Sequence, residues 1–234
     1  MKTRLLLILS SAIFFLGVII GLALAVITIW TRIEATRYYF TGAKYDPFTG
    51  LRCPVMIAPT EKGIVTAVFN NPTNEEDNFF YRAQISGKAF STRQVEDQIA
   101  VPPHQTKTIR LAVDANDVDL MFFIFVKMSI LPNALHRSQE AVCGMMVVNI
   151  LGLTGAQIAT AALALGFLGM AIGLGVWQQT NTDANRNILR VMQALGFVVL
   201  LTMFAASMGW WIAGMALSAI TILLLVISLR YAIE

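Results

Sequence analysis

Residues 191–229, VMQALGFVVLLTMFAASMGWWIAGMALSAITILLLVISL, run for 39 positions without one Asp, Glu, Lys or Arg. As a single helix this stretch would be about 58 Å long at 1.5 Å per residue, nearly twice the ~30 Å apolar thickness of a bilayer. One crossing cannot absorb it. Ser207-Met208-Gly209-Trp210-Trp211 lies in its middle and offers a flexible glycine beside two amphipathic indoles, so the run reads as two spans, 191–207 and 210–229, joined by a tight turn.

Two more uncharged runs precede it. Residues 5–30 are 26 positions long and 150–177 are 28, each long enough to cross with some tilt. The basic start Met-Lys-Thr-Arg and the small-x-small Ala23-Leu24-Ala25 also fit a secretory signal peptide. Against that, the apolar run exceeds the 7 to 15 residues of such a peptide and ends on Trp30, so 1–30 is expected to be an uncleaved signal anchor. Trp30, Trp177, Trp210 and Trp211 all fall at inferred span ends, where an indole anchors best among headgroups.

Orientation follows from the short flanks. Lys2 and Arg4 precede the first span, Arg186 and Arg190 sit in the 178–190 loop, and Arg230 begins the 230–234 tail. With four spans all five share a side, so both termini and that loop are expected to be cytoplasmic and 31–149 extracytoplasmic, in a multi-pass plasma-membrane protein. Residues 31–149 carry 12 basic and 12 acidic side chains, so the whole net charge of +3 belongs to the cytoplasmic parts. The excess is a topology signal, and no nucleic-acid partner is expected. Only 13% of the chain is charged and 56% is apolar, which a water-soluble globule or a disordered chain would not show.

Residues 31–149 read as short strands at 53–58, 63–70, 78–86, 94–101, 105–113, 120–130 and 141–150, separated by turn-forming stretches such as Asn70-Asn71-Pro72-Thr73-Asn74 and Pro102-Pro103. Ile109, Leu111 and Val113 alternate onto one face. About seven strands in roughly 100 residues is an immunoglobulin-like count. The expected fold is therefore an integral membrane α-helical bundle of four transmembrane helices with an inserted all-β, immunoglobulin-like sandwich on the extracytoplasmic side. The aromatic stretch Tyr38, Tyr39, Phe40, Tyr45 and Phe48 is expected to pack on the base of that domain or sit at the headgroups.

Cys53 and Cys143 are the only cysteines. In an oxidising compartment they would pair and close a 90-residue loop, worth about 4 kcal/mol in the chain-entropy model. Two buried thiols are the alternative. A metal site is disfavoured, since only His104 and His136 accompany them. Asp114, Asn116, Asp117 and Asp119 bring the oxygen ligands Ca²⁺ prefers, but the same residues are standard in a strand-to-strand turn.

Within the spans, Gly17 and Gly21, and Gly166, Gly169 and Gly173, form small-residue faces that let helix backbones approach, inside this bundle or in an oligomer. Gln157 and Gln193 are the candidate intramembrane polar contacts and would line a polar path only if they faced one another or a partner. No nucleophile–base pair, carboxylate pair, metal cluster or phosphate-binding loop stands out, and no cofactor is expected. These features favour a non-enzymatic membrane protein whose tethered sandwich binds or scaffolds a protein partner, or a second copy, as an accessory subunit of a membrane complex. A transport or channel component is the alternative, and a membrane enzyme subunit acting on lipid or glycan is the third reading.

Overall fold

The computed structural model describes residues 2–40, 46–131, 137–180 and 186–233. His136, Tyr45, part of the 178–190 loop, the end of the 230–234 tail, and the side chains of Lys2, Arg4, Arg186 and Arg230 lie outside the described residues. In chain order the elements are α1 (Lys2–Tyr38), β1 (Asp46–Pro47), β2 (Leu51–Arg52), β3 (Met56–Ile57), β4 (Gly63–Asn70), β5 (Asp77–Gly87), β6 (Ser91–Val101), β7 (Thr106–Val113), β8 (Phe123–Ile130), β9 (Gln139–Val147), α2 (Gly155–Gln179), α3 (Arg186–Ser207) and α4 (Trp211–Ile233). They form two compact units, Met1–Ile29 with Ala159–Glu234, and Trp30–Ile158.

The first unit is helical. Three helical segments, Leu5–Tyr38, Gly155–Gln179 and Ile188–Ser207, are long and apolar enough to cross a membrane, while the described apolar part of α4, Trp211–Ile227, is shorter. The break between α3 and α4 falls where the 39-residue run was divided. Gly209 adopts φ 75°, its N–H donates to the Ala206 carbonyl at 3.1 Å, and the Trp210 N–H donates to the Ala205 carbonyl at 2.9 Å. This is a Schellman end, which needs a residue tolerant of positive φ. Phe14 and Val18 of α1, Met170 and Trp177 of α2, and Leu189, Met192, Leu195 and Val199 of α3 bury one another, with Leu224 and Leu225 of α4 at the margin.

The second unit is β-rich with two sheets. One has the order β1-β9-β8-β5-β6, with β3 also on β9; the other is β2-β4-β7. β1 and β3 run parallel to β9, and the remaining ladders are antiparallel. Period-two alternation places Val65, Ala67, Phe69, Leu111 and Val113 of the smaller sheet in one core with Ile85, Ile124, Val126 and Met128 of the larger. The expected 63–70 strand coincides with β4. β8 begins at Phe123 and not at 120, because Leu120 and Met121 take φ of 45° and 71° in a tight turn. β9 ends at Val147, short of 150.

Two helix boundaries also differ from expectation. α1 continues eight residues beyond Trp30. Residues 31–38 hold no Gly or Pro, and Thr31, Ala35 and Tyr38 repeat at helical spacing. Ala35 packs with Phe123 and Phe125, and Tyr38 and Tyr39 join that cluster. These phenylalanines point away from the shared core, so this helix end covers the outer face of the larger sheet and β8 is buried along nearly its whole length. The approach is close enough that a Cβ on Gly144 would run into the Thr31 carbonyl. α2 starts at Gly155 because Leu151 and Gly152 take positive φ and Thr154 caps the helix.

Candidate functional site

At the β5–β6 turn an open cleft of about 670 Å³ is walled by Ser86, Lys88, Thr92, Arg93, Asp114 and Asp117. Asp114, Asn116 and Asp117 line one side of it. The Asp114 carboxylate accepts the Asn116 N–H at 2.8 Å, and the Asp114 N–H donates to Asp117 Oδ2 at 3.0 Å, a reciprocal cap on the short turn Ala115–Asp117. Arg93 Nη2 donates to Asp117 Oδ2 at 3.0 Å and to the Ala112 carbonyl at 3.0 Å. Ser86 Oγ donates to the Asp117 carbonyl at 2.7 Å and accepts the Phe125 N–H at 2.9 Å.

The four residues of the calcium candidate do not share one set of contacts. Asp119 turns to a different set of partners: its Oδ2 accepts the Tyr38 hydroxyl at 2.9 Å and the Phe90 N–H at 2.9 Å, and its Oδ1 accepts the Leu120 N–H at 2.8 Å. The Asp114, Asp117 and Asp119 side chains serve turn caps, the Arg93 pair and the Tyr38 hydroxyl, and among the described residues no group of three His, Cys, Asp or Glu could hold a metal. Tyr39 is held just as firmly, its hydroxyl donating to the Gln84 carbonyl at 3.0 Å and the Phe125 carbonyl at 3.1 Å. Burial, then the neighbouring Tyr38 and Asp117, push the Tyr39 hydroxyl above its ordinary range. Burial and Asp97 do the same for Tyr81.

Cys53 and Cys143 form a disulfide, with Cα atoms 6.1 Å apart, tying the chain between β2 and β3 to β9. Among the glycines, a Cβ on Gly17 would come within 2.7 Å of the Gly166 carbonyl, one on Gly169 within 3.0 Å of the Ile13 carbonyl, and one on Gly173 within 2.8 Å of the Ser10 carbonyl. Gly21 faces Val199 and Met203 of α3. These small residues therefore serve packing inside the chain.

Trp30, Trp210 and Trp211 are substantially exposed, as interfacial anchors would be. Trp177 is buried instead, and its indole N–H donates to Ser11 Oγ of α1 at 2.9 Å. Gln157 lies at the start of α2. Its Oε1 accepts the Thr154 N–H at 3.0 Å while its own backbone N–H donates to Thr154 Oγ1 at 3.2 Å, so it completes a capping box. Gln193 is exposed on α3. The residues not anticipated are Glu61, which caps α2, and Arg93. The Thr154-x-x-Gln157 pattern was available as a signal for the helix start.

His104 is exposed, with Nε2 at 2.7 Å from Asn74 Oδ1 in the loops at the far end of the β5–β6 hairpin from the cleft. The cleft offers a Lys88 ammonium, hydroxyls, and an Arg–Asp pair whose charges already neutralise each other. Beside it lies β6, an end strand of its sheet, exposed over most of eleven residues. Such a surface suits recognition of an extended, polar chain.

No protein-family model matches the chain, and no curated protein matches it. Among solved structures, a cycloisomaltooligosaccharide glucanotransferase of Paenibacillus sp. is similar over 45% of this chain at 12% identity and a TM-score of 0.34. The matched part is 14% of that chain, and a likeness this slight carries no inference about activity.

Proposed function

We propose that this chain is a non-enzymatic, four-span plasma-membrane protein whose extracytoplasmic immunoglobulin-like sandwich binds a protein partner, as an accessory subunit of a membrane complex. Strand order supports the immunoglobulin-like reading: β9-β8-β5-β6 corresponds to G-F-C-C′ and β2-β4-β7 to A-B-E, with the disulfide joining the segment after β2 to β9 and not B to F. The 23 residues of α4 make about 34 Å of helix, which supports a fourth crossing and, with the basic flanks, cytoplasmic termini.

The observation that carries the binding role is β6. An eleven-residue strand at the edge of a sheet, paired on one side with β5 and with a polar cleft at its start, is suited to accept a partner's strand. Extraction in a mild detergent followed by native mass measurement tests this. A stoichiometric co-purifying protein, or a homo-oligomer lost when Arg93, Gln94 and Val95 are replaced by Pro singly, is expected. A lone monomer in every detergent overturns it.

A further inference from the structure

Three observations converge on the turn before α2. First, Ile150, Leu151 and Leu153 are exposed, Leu151 to 93%, in a turn closed by the Leu153 N–H on the Ile150 carbonyl at 2.9 Å. Second, Leu151 takes φ 49°, a left-handed backbone that a branched side chain adopts at a cost, so the turn spends strain to hold a leucine outward. Third, only Thr154 separates this turn from α2, one of the three helices apolar enough to cross a membrane.

Two helix ends pack on the larger sheet. Leaving Trp30, α1 passes Gly144 on β9 at Thr31 and Phe123 and Phe125 on β8 at Ala35. The following tyrosines reach the Gln84 carbonyl on β5 and the Ser91 carbonyl on β6. α2 begins against Met56 and Ile57 of β3, the strand beyond β9. The described start of α2 therefore lies at the β3–β9 edge, beside the turn 150–153.

The geometry points to residues 150–153 as a lipid-inserted wedge at the start of α2. The occupant is the bilayer of the chain's own membrane, chosen by chain continuity with α2. The inference rests on the membrane reading and is independent of the partner-binding one.

The test uses full-length protein in phosphatidylcholine nanodiscs. Single cysteines replacing Leu151, Glu75 and Leu165 carry an environment-sensitive dye, the native pair being oxidised, and nitroxide lipids act as quenchers. Leu151→Cys is expected to be quenched at least about threefold more than Glu75→Cys. Leu165, exposed on α2, reports the bilayer itself. Quenching at 165 with none at 151 overturns the wedge and leaves the membrane reading standing; no quenching at 165 overturns both. A label at 151 shielded from aqueous iodide yet untouched by lipid nitroxide shows a protein covering the turn, which also overturns it.

Discussion

Glu61 Oε2 accepts the Gly155 N–H at 2.7 Å across 94 residues of sequence, and the same oxygen accepts the Ala58 N–H at 3.0 Å. One carboxylate thus closes the turn before β4 and caps the first turn of α2, where orphan N–H groups and the positive end of the helix dipole favour an anion. The β-rich unit thereby supplies a cap that the helix's own sequence lacks, alongside the Thr154–Gln157 box.

Replacing Glu61 separates the two contributions. Glu61→Ala removes the acceptor and is expected to cost about 1 to 2 kcal/mol, whereas Glu61→Gln keeps an acceptor oxygen, loses the charge and costs about half as much. Thermal unfolding of the detergent-solubilised full chain reads both. Equal losses would mean that charge, and not the hydrogen bond, holds the cap.

Tyr39 makes the domain sensitive to alkaline pH. Its hydroxyl is pushed above the ordinary value of 10 by burial, so the folded state holds a proton that the unfolded chain releases first. Its contribution is complete below about pH 10 and declines as the pH rises further. Wild type should therefore lose Tm more steeply between pH 9.5 and 11 than Tyr39→Phe, while Tyr39→Phe is less stable at pH 7 by about 1 to 2 kcal/mol for its two carbonyl contacts. Tyr81, raised for the same first reason, keeps a residual slope in both proteins.

How far the sequence carried the fold depends on which constraint was at work. The division at Gly209 was legible because a 39-residue uncharged run cannot fit one bilayer crossing, whatever its neighbours do. The continuation of α1 was not, since Thr31, Ala35 and Tyr38 make too short a stripe to announce a helix until the outer face of β8 is known to receive it. Oxygen-rich composition suggested calcium at 114–119, but composition says nothing of direction: Asp114 and Asp117 turn to backbone N–H groups and Asp119 to Tyr38. Trp177 and Gln157 carry the same lesson. A residue type suited to an interface or a polar path was taken by Ser11 in one case and by Thr154 in the other.

The disulfide should matter most to the stability of the β-rich unit. Cys53→Ser with Cys143→Ser is expected to lose on the order of 4 kcal/mol through the freed 90-residue loop, read as a drop in Tm. A shift in non-reducing gel mobility on adding a thiol checks the pairing directly. No shift in protein isolated from its native membrane would show that the cysteines face a reducing compartment, contrary to the extracytoplasmic placement proposed for 31–149.

Two glycines of the helical unit should respond in opposite directions. At Gly17 any Cβ meets backbone, the Gly166 carbonyl at 2.7 Å and the Met170 nitrogen at 2.8 Å, and neither can swing aside as a side chain would. Gly17→Val must push α1 and α2 apart, with an expected cost on the order of 1 to 3 kcal/mol from overpacking and further loss from the contacts around Phe14 and Val18. At Gly175 nothing lies within 4 Å of an added Cβ. Gly175→Ala is therefore expected to be neutral or to gain up to about 1 kcal/mol from helix propensity. Thermal unfolding of both variants in one detergent decides the matter, because an oligomer contact at Gly175 would reverse its sign and leave Gly17 unchanged. A loss at Gly175→Ala that grows with protein concentration would identify that face of α2 as the surface on which a second copy packs.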